Sequence, residues 1–302
     1  AAPAITRIRN ADGKQFQIKL QSVGGSVPGN YTVDYFVIEA GVYNEAEHGI
    51  KMEAVRATSR RTAGRNDWVR ERRDYQNRYI APVVLGQVMT HNDSDWSVFW
   101  SSKDSRRNAA PNNSSFAAGK HVGEDANDQR SNETIGYVVL ESGIQQINDT
   151  KLYAALGADK VRGVSNTTNG FSYNINGLGS ASTGIVSAAG MDSNNGGWPV
   201  MLGANPVSAN GIQVVFDEDQ QRDLERAHTT EQVAFVVFED ETAPEQEVQA
   251  LVFEHGNLNA VSDNWQRVQL ENSYESMVVV ATVMVNSQEQ LPVVTRISEA
   301  EG

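Results

Sequence analysis

The five imidazoles of the 302-residue chain are His48, His91, His121, His228 and His255, and no two stand at i, i+4. That spacing would put two metal ligands on one helix face, so a histidine-paired metal centre is not indicated. The chain has no GxSxG elbow, no phosphate-cradling Gly-Lys loop, no HExxH and no complete GxGxxG. Cysteine is absent, which excludes thiolate nucleophiles, disulfides and cysteine zinc sites. Paired carboxylates for glycoside hydrolysis meet only in space. The acids that close apolar runs are Glu39, Glu141 and Glu239, and their recurrence in three similar segments favours a structural role. The expectation is a protein that is not an enzyme.

Binding chemistry is more promising. His91-Asn-Asp-Ser-Asp95, Glu124-Asp-Ala-Asn-Asp128 and Asp217-Glu-Asp219 are oxygen-rich turns that could serve calcium, although solvated turns explain them more simply. No other cofactor is expected. Trp96, Trp100 and Trp198 lie beside polar loops that carry Asp95 and Asp192. An aromatic face flanked by hydrogen-bonding groups suits a sugar ring, so these five residues form a candidate carbohydrate site. Core packing of the same tryptophans is the stronger reading.

Charge narrows the partners. The formal net charge is −13, from 25 basic and 38 acidic residues, against the basic face that nucleic acid requires. No run reaches the roughly 18–20 apolar residues of a membrane helix. Only seven of the basic residues are lysine, and turn residues abound, as in extracellular β modules free of thiols. The expected location is extracellular or at the cell surface. Residues 56–78 hold eight arginines and three acids, whereas 217–247 hold eleven acids and two arginines. Opposite blocks can steer one surface onto another. Arg7, Arg72, Arg73, Arg296, Asp217 and Asp219, with the apolar Val278 and Val280, are therefore the candidate assembly interface.

The elements that would position these groups are read from a repeat. Thr32-Val-Asp-Tyr-Phe-Val-Ile-Glu-Ala-Gly41, Thr134-Ile-Gly-Tyr-Val-Val-Leu-Glu-Ser-Gly143 and Gln232-Val-Ala-Phe-Val-Val-Phe-Glu-Asp240 share one pattern. Their aromatic positions, Tyr35, Tyr137 and Phe235, are 102 and 98 residues apart. Each run is apolar throughout, as a strand buried on both faces requires. A second element, Trp68 to Thr90, returns as Trp265 to Val285, with a weaker copy from Phe171 to Met191. Two segments carry weak helical signals, 151–157 and 218–228, and the second reads equally well as a polar loop. The fold class is therefore all-β: three antiparallel β-sandwich modules of about 97 residues.

The repeat starts out of phase. A closing half-module comes first and an opening half-module last, and Pro3–Ile8 resembles Pro292–Ile297. The expected divisions are a closing half (1–55), whole modules (56–150 and 151–247) and an opening half (248–302). Half a sandwich exposes an apolar face, so 265–297 must pair with a 3–43 segment. The duplicated junction strand favours a partner in the next chain, or in adjacent modules of a longer chain, and a head-to-tail filament. Closure within one chain is the alternative and gives a soluble pseudo-trimer.

A pattern W-x-x-V…Y-x-x-P-V-V-x-x-x-V-x-T, met in Trp265-x-x-Val268 and in Tyr79-x-x-Pro82-Val-Val-x-x-x-Val88-x-Thr90, then a tryptophan-bearing loop and a run closing in Glu-Ala-Gly, resembles the H-type lectin family. The likeness extends to tandem modules of large secreted marine bacterial proteins. It covers most of residues 3–43, 68–143, 171–240 and 265–297, and Thr183-Gly184 departs from it where the other copies have Ala81-Pro82 and Ser276-Met277. The resemblance implies six-stranded sandwiches assembled as trimers, with N-acetylgalactosamine-type sugars bound between subunits. The expected function is thus lectin-like binding, adhesion or structural assembly, with extracellular polysaccharide and further copies of the chain as partners. A soluble pseudo-trimer, or an accessory module of a polysaccharide-degrading enzyme, is the alternative.

Overall fold

The computed structural model describes residues 4–23, 27, 29–65, 67–240, 251–286 and 295–297, with backbone alone at 4–8 and 295–297. Twenty-two strands dominate it, beside a four-residue helix, Glu45–His48, and one 3-10 turn. Among the described residues no helix is long and apolar enough to cross a membrane. The all-β reading holds.

The repeated aromatic runs are interior strands, each antiparallel to both neighbours. Glu133–Glu141 lies between Met52–Ser59 and Pro82–Val88. Val233–Glu239 lies between Thr150–Leu156 and Ala181–Ala188. Tyr31–Glu39 lies between Phe253–Val261 and Met277–Val285. Register is shared as well. Tyr137 stands opposite Gly86 and Val55, Phe235 opposite Val186 and Ala155, and Tyr35 opposite Ala281 and Gly256.

Period-two alternation gives each strand two buried faces. Phe36, Ile38, Val138, Leu140, Val236 and Phe238 belong to one core common to the three sheets, where Phe36 and Phe238 meet at 5.0 Å between ring centroids. The opposite faces find separate partners. Tyr137 meets Phe116 edge-on at 5.5 Å, Phe235 stacks on Tyr173 at 5.2 Å, and Tyr35 meets Phe16 at 5.6 Å. Tyr137 and Phe235 are buried and Tyr35 is half-buried.

Three features bear on the expected organisation. Residues 150–156 form a strand, because Leu152 and Ala154 turn into the common core while Tyr153 faces away. Residues 218–228 are a loop, one of the two readings their sequence allowed. Most consequential, the two terminal segments pair with each other: Thr32–Glu39 runs against Met277–Met284, and Ala4–Ser22 joins Gln266–Tyr274 and Thr295–Ile297 in one sheet. The split unit that favoured a second chain is closed here within one. Val278 and Val280, expected at an assembly interface, are buried opposite Ile38 and Phe36. Sheet membership also changes earlier than the expected boundaries 55 and 150. Gly41–Tyr43 and Met52–Ser59 belong to the Tyr137 sheet, and Gly143–Ile147 and Thr150–Leu156 to the Phe235 sheet.

The seams between sheets follow a rotating pattern. Ser187 Oγ lies 3.0 Å from the Gly86 amide, which donates to it, and 3.4 Å from the Gly86 carbonyl, to which it donates. Thr282 Oγ1 makes the same pair of contacts with Val186, at 3.1 and 3.5 Å. Strand pairing turns with it: Ser101 bridges Ala189 in parallel, and Met201 pairs with Met284 in parallel.

Candidate functional site

The repeated glutamates are structural. The Glu141 carboxylate accepts the amides of Ile80 and Ala81, and Glu39 accepts those of Glu275 and Ser276. Glu239 accepts the Gly179 amide. Each ties a strand end to the turn that starts the neighbouring strand. Burial pushes the Glu141 carboxyl up, but the Ala81 and Ile80 amides and Lys51 outweigh it and hold it below its ordinary range.

The seams, in contrast, diverge. One residue before each repeated aromatic stand Asp34, Gly136 and Ala234, and their cross-strand partners are Asn257, Arg56 and Leu156. At the first seam Arg56 closes the space, its Nη1 donating to the carbonyls of Ala11 (3.0 Å) and Met277 (3.2 Å). At the second, Leu156 lines a cleft of about 420 Å³ with Ile80, Ala81, Pro82 and Pro111. At the third, a polar cleft of about 370 Å³ opens between Ser182, Thr183 and Asp240 on one side and Tyr35, Glu254–Asn257, Gln269 and Glu271 on the other.

Asp34 sits beside this third cleft. Its carboxylate is fully buried, accepting the Gly184 amide across the seam at 2.7 Å and the Asn257 side-chain amide. Burial pushes its pKa up to about 7 against the pull of those two bonds. His255 stacks on Phe238 at 4.6 Å, and neither ring nitrogen has a hydrogen-bond partner. Burial lowers its pKa to about 4, so the ring is neutral at physiological pH. Glu254 accepts the amides of Glu271 and Asn272 and the Tyr274 hydroxyl, and Ser182 donates to Asp240. A cavity with convergent polar groups at a seam between sheets and a strongly shifted carboxyl is a binding-site arrangement.

No protein-family model, curated protein or solved structure matches the chain.

The tryptophans of the expected sugar site point inward. Trp96 and Trp198 are buried and meet at 5.7 Å, and Trp100 is buried against Trp68 at 5.3 Å. None offers a ring face to a ligand. Asp95 is exposed beside Arg130, with its main-chain amide bonded to Asp93, and Asp192 is half-buried, its pKa raised by burial, Glu231 and Asp159. The fold does not bring these two acids to one cleft with the tryptophan faces.

The charged candidates are also occupied locally. Arg72 pairs with Asp74 and Asp104, and Arg73 with Glu71. Asp217 pairs with Arg226 at 2.8 Å, and Asp219 accepts the amides of Glu124 and Gln221. Burial pushes Asp219 up to about 7. The side chains of Arg7 and Arg296 lie outside the described residues, although their backbones pair within the chain. Between these acids lies His228, buried, with Nδ1 2.8 Å from Glu218 and Nε2 3.0 Å from Glu231. Burial works against its proton, but the two carboxylates raise its pKa to about 9. Glu231 in turn accepts the amides of Asp192 and Ser193, which fixes the loop before Trp198. Among the described residues, Glu218, Asp223 and Glu225 bring carboxylate oxygens within 4.8 Å of one another.

Sequence reasoning missed Asp34, Arg56, His255 and His228. A signal for Asp34 was present, since the aligned runs put Asp beside Gly and Ala at one position. Arg56 had none beyond its place in a basic block.

Proposed function

We propose that the chain is a non-enzymatic, lectin-like binding protein in which three β-sandwich modules close into a single-chain pseudo-trimer. The shared register of the three repeated strands and the rotating Ser187 and Thr282 contacts support the modular reading. One observation carries the function: of three equivalent seams, only that of Asp34 and Asn257 opens into a cleft lined chiefly by hydroxyl, amide, carboxylate and imidazole groups. Such a lining recognises hydroxyl-rich ligands through oriented hydrogen bonds. An extracellular setting, on a cell surface or on polysaccharide, accords with the cysteine-free, turn-rich composition. Assembly into a filament by exchange of terminal halves would require the Tyr31–Glu39 and Met277–Val285 pairing to open. A glycan array and calorimetry on the whole chain, with and without calcium, test the reading. Saccharide binding that is lost in Asn257→Ala is expected; absence of binding to every saccharide would overturn it.

A further inference from the structure

The third cleft has a second property. Among the described residues it is lined by Asp240, Glu254 and Glu271 and by no lysine or arginine. Its pseudo-equivalent on the Arg56 seam has the opposite sign and is filled. The Leu156 seam holds no charged lining residue at all. Glu254 is engaged by three donors within its own sheet, so it contributes field rather than contact. Asp240, which also accepts the Ser182 hydroxyl, and the exposed Glu271 line the cleft from different segments of the chain. A wall that concentrates one sign of charge attracts the opposite sign, and a low-dielectric floor strengthens that field. An acidic sugar is repelled there.

Resting on the lectin-like reading, we infer that this cleft takes one amine-bearing saccharide per chain, its ammonium group held between Asp240 and Glu271 and its hydroxyls read by Thr183 and Asn257. The inference departs from threefold binding: the pseudo-trimer has a single such site, because Arg56 closes one seam and the Leu156 cleft has no charged lining residue to hold an ammonium group.

The test uses the whole chain and two oligosaccharides of equal length, oligoglucosamine and its fully N-acetylated form. Titration calorimetry is run at about pH 6, below the range in which such amines lose their proton. Expected are a stoichiometry near one and affinity at least about tenfold higher for the amine form. Asp240→Asn with Glu271→Gln should remove that preference, whereas Asn112→Ala, in the Leu156 cleft, should not. Circular dichroism and melting confirm that the variants fold. Equal affinity for both oligosaccharides, or stoichiometry near three, would overturn this inference and leave the lectin-like reading standing. No binding to either of them, or to any neutral or acidic saccharide, would overturn both.

Discussion

Two sets of positions repeat three times in this molecule, and they have changed by different amounts. At the strand ends, Glu39, Glu141 and Glu239 are the same residue making the same kind of bond to the next strand's turn. At the seams, the equivalent positions hold Asp34, Gly136 and Ala234 facing Asn257, Arg56 and Leu156. The strand-end bond satisfies amides that every sheet must satisfy, so one solution serves all three. A seam only has to be filled or left open, and each has been treated differently. Repetition marks the scaffold, and departure from repetition marks the site.

The sharpest test of the scaffold half removes a repeated aromatic. Tyr137→Ala should cost roughly 3–5 kcal/mol in urea unfolding, and Tyr35→Ala clearly less because Tyr35 is only half-buried. Equal losses would mean that Tyr35 is packed as tightly as Tyr137, against its half-buried position. His228→Ala comes next. It strands Glu218 and Glu231 inside the protein and should cost roughly 3–5 kcal/mol, as breaking a buried pair does. Because the folded-state pKa of His228 is raised to about 9, its contribution is full below the unfolded value near 6.5. It is lost as pH rises through about 9, so wild type and variant should converge in alkaline solution. The equivalent loop before Trp96 is held by Glu133, which accepts the Thr90 hydroxyl and the amides of Asn92 and Asp93.

The site half of the comparison is tested at Asp34. Its pKa is raised on folding, so ionisation opposes the native state and stability falls as pH climbs from about 4 to about 7. Asp34→Asn should flatten that slope and gain on wild type above pH 7 by on the order of 2–4 kcal/mol. A variant that tracks wild type across this range would show that Asp34 is not a strained buried acid. The smallest effect belongs to Glu141→Gln, about 1–2 kcal/mol at neutral pH, since the amides keep one acceptor. The Glu141 pKa is lowered, so this stabilisation is present above the unfolded value and disappears as acid titrates the folded carboxylate. Unfolding curves for the variant and wild type should therefore merge at low pH.

Much of the scaffold was legible in one dimension. Apolar runs of fixed composition, a constant aromatic and a closing glutamate are local patterns, and local patterns determine strands. The need for the terminal halves to meet followed from the same repeat. Which chain supplies the partner did not follow, because edge pairing within and between chains uses identical groups. The 151–157 segment misled because Leu152, Ala154 and Ala155 also suit a helix, and only the neighbouring Val233–Glu239 strand decides. The tryptophans misled for a related reason: Trp100 and Trp198 belong to the strands Val98–Ser102 and Trp198–Leu202 rather than to the polar loops before them, and their rings are buried. The polar cleft was the least legible feature, since its walls come from segments as far apart as Tyr35 and Glu271.

The pairing of Tyr31–Glu39 with Met277–Val285 also sets a timetable. Tyr137 meets its partners 51 and 82 residues back in the sequence, and Phe235 meets its own 49 and 80 residues back, whereas Tyr35 must wait for Ala281, 246 residues ahead. Lengthening a closing loop from about 80 to about 246 residues costs only about 1 kcal/mol in chain entropy, so the arrangement is nearly free at equilibrium. In time it is not. On a ribosome the first motif strand emerges early and stays unpaired, edges open, until almost the whole chain has followed. Through that interval Tyr31–Glu39 keeps an open edge that can pair wrongly with other exposed strands.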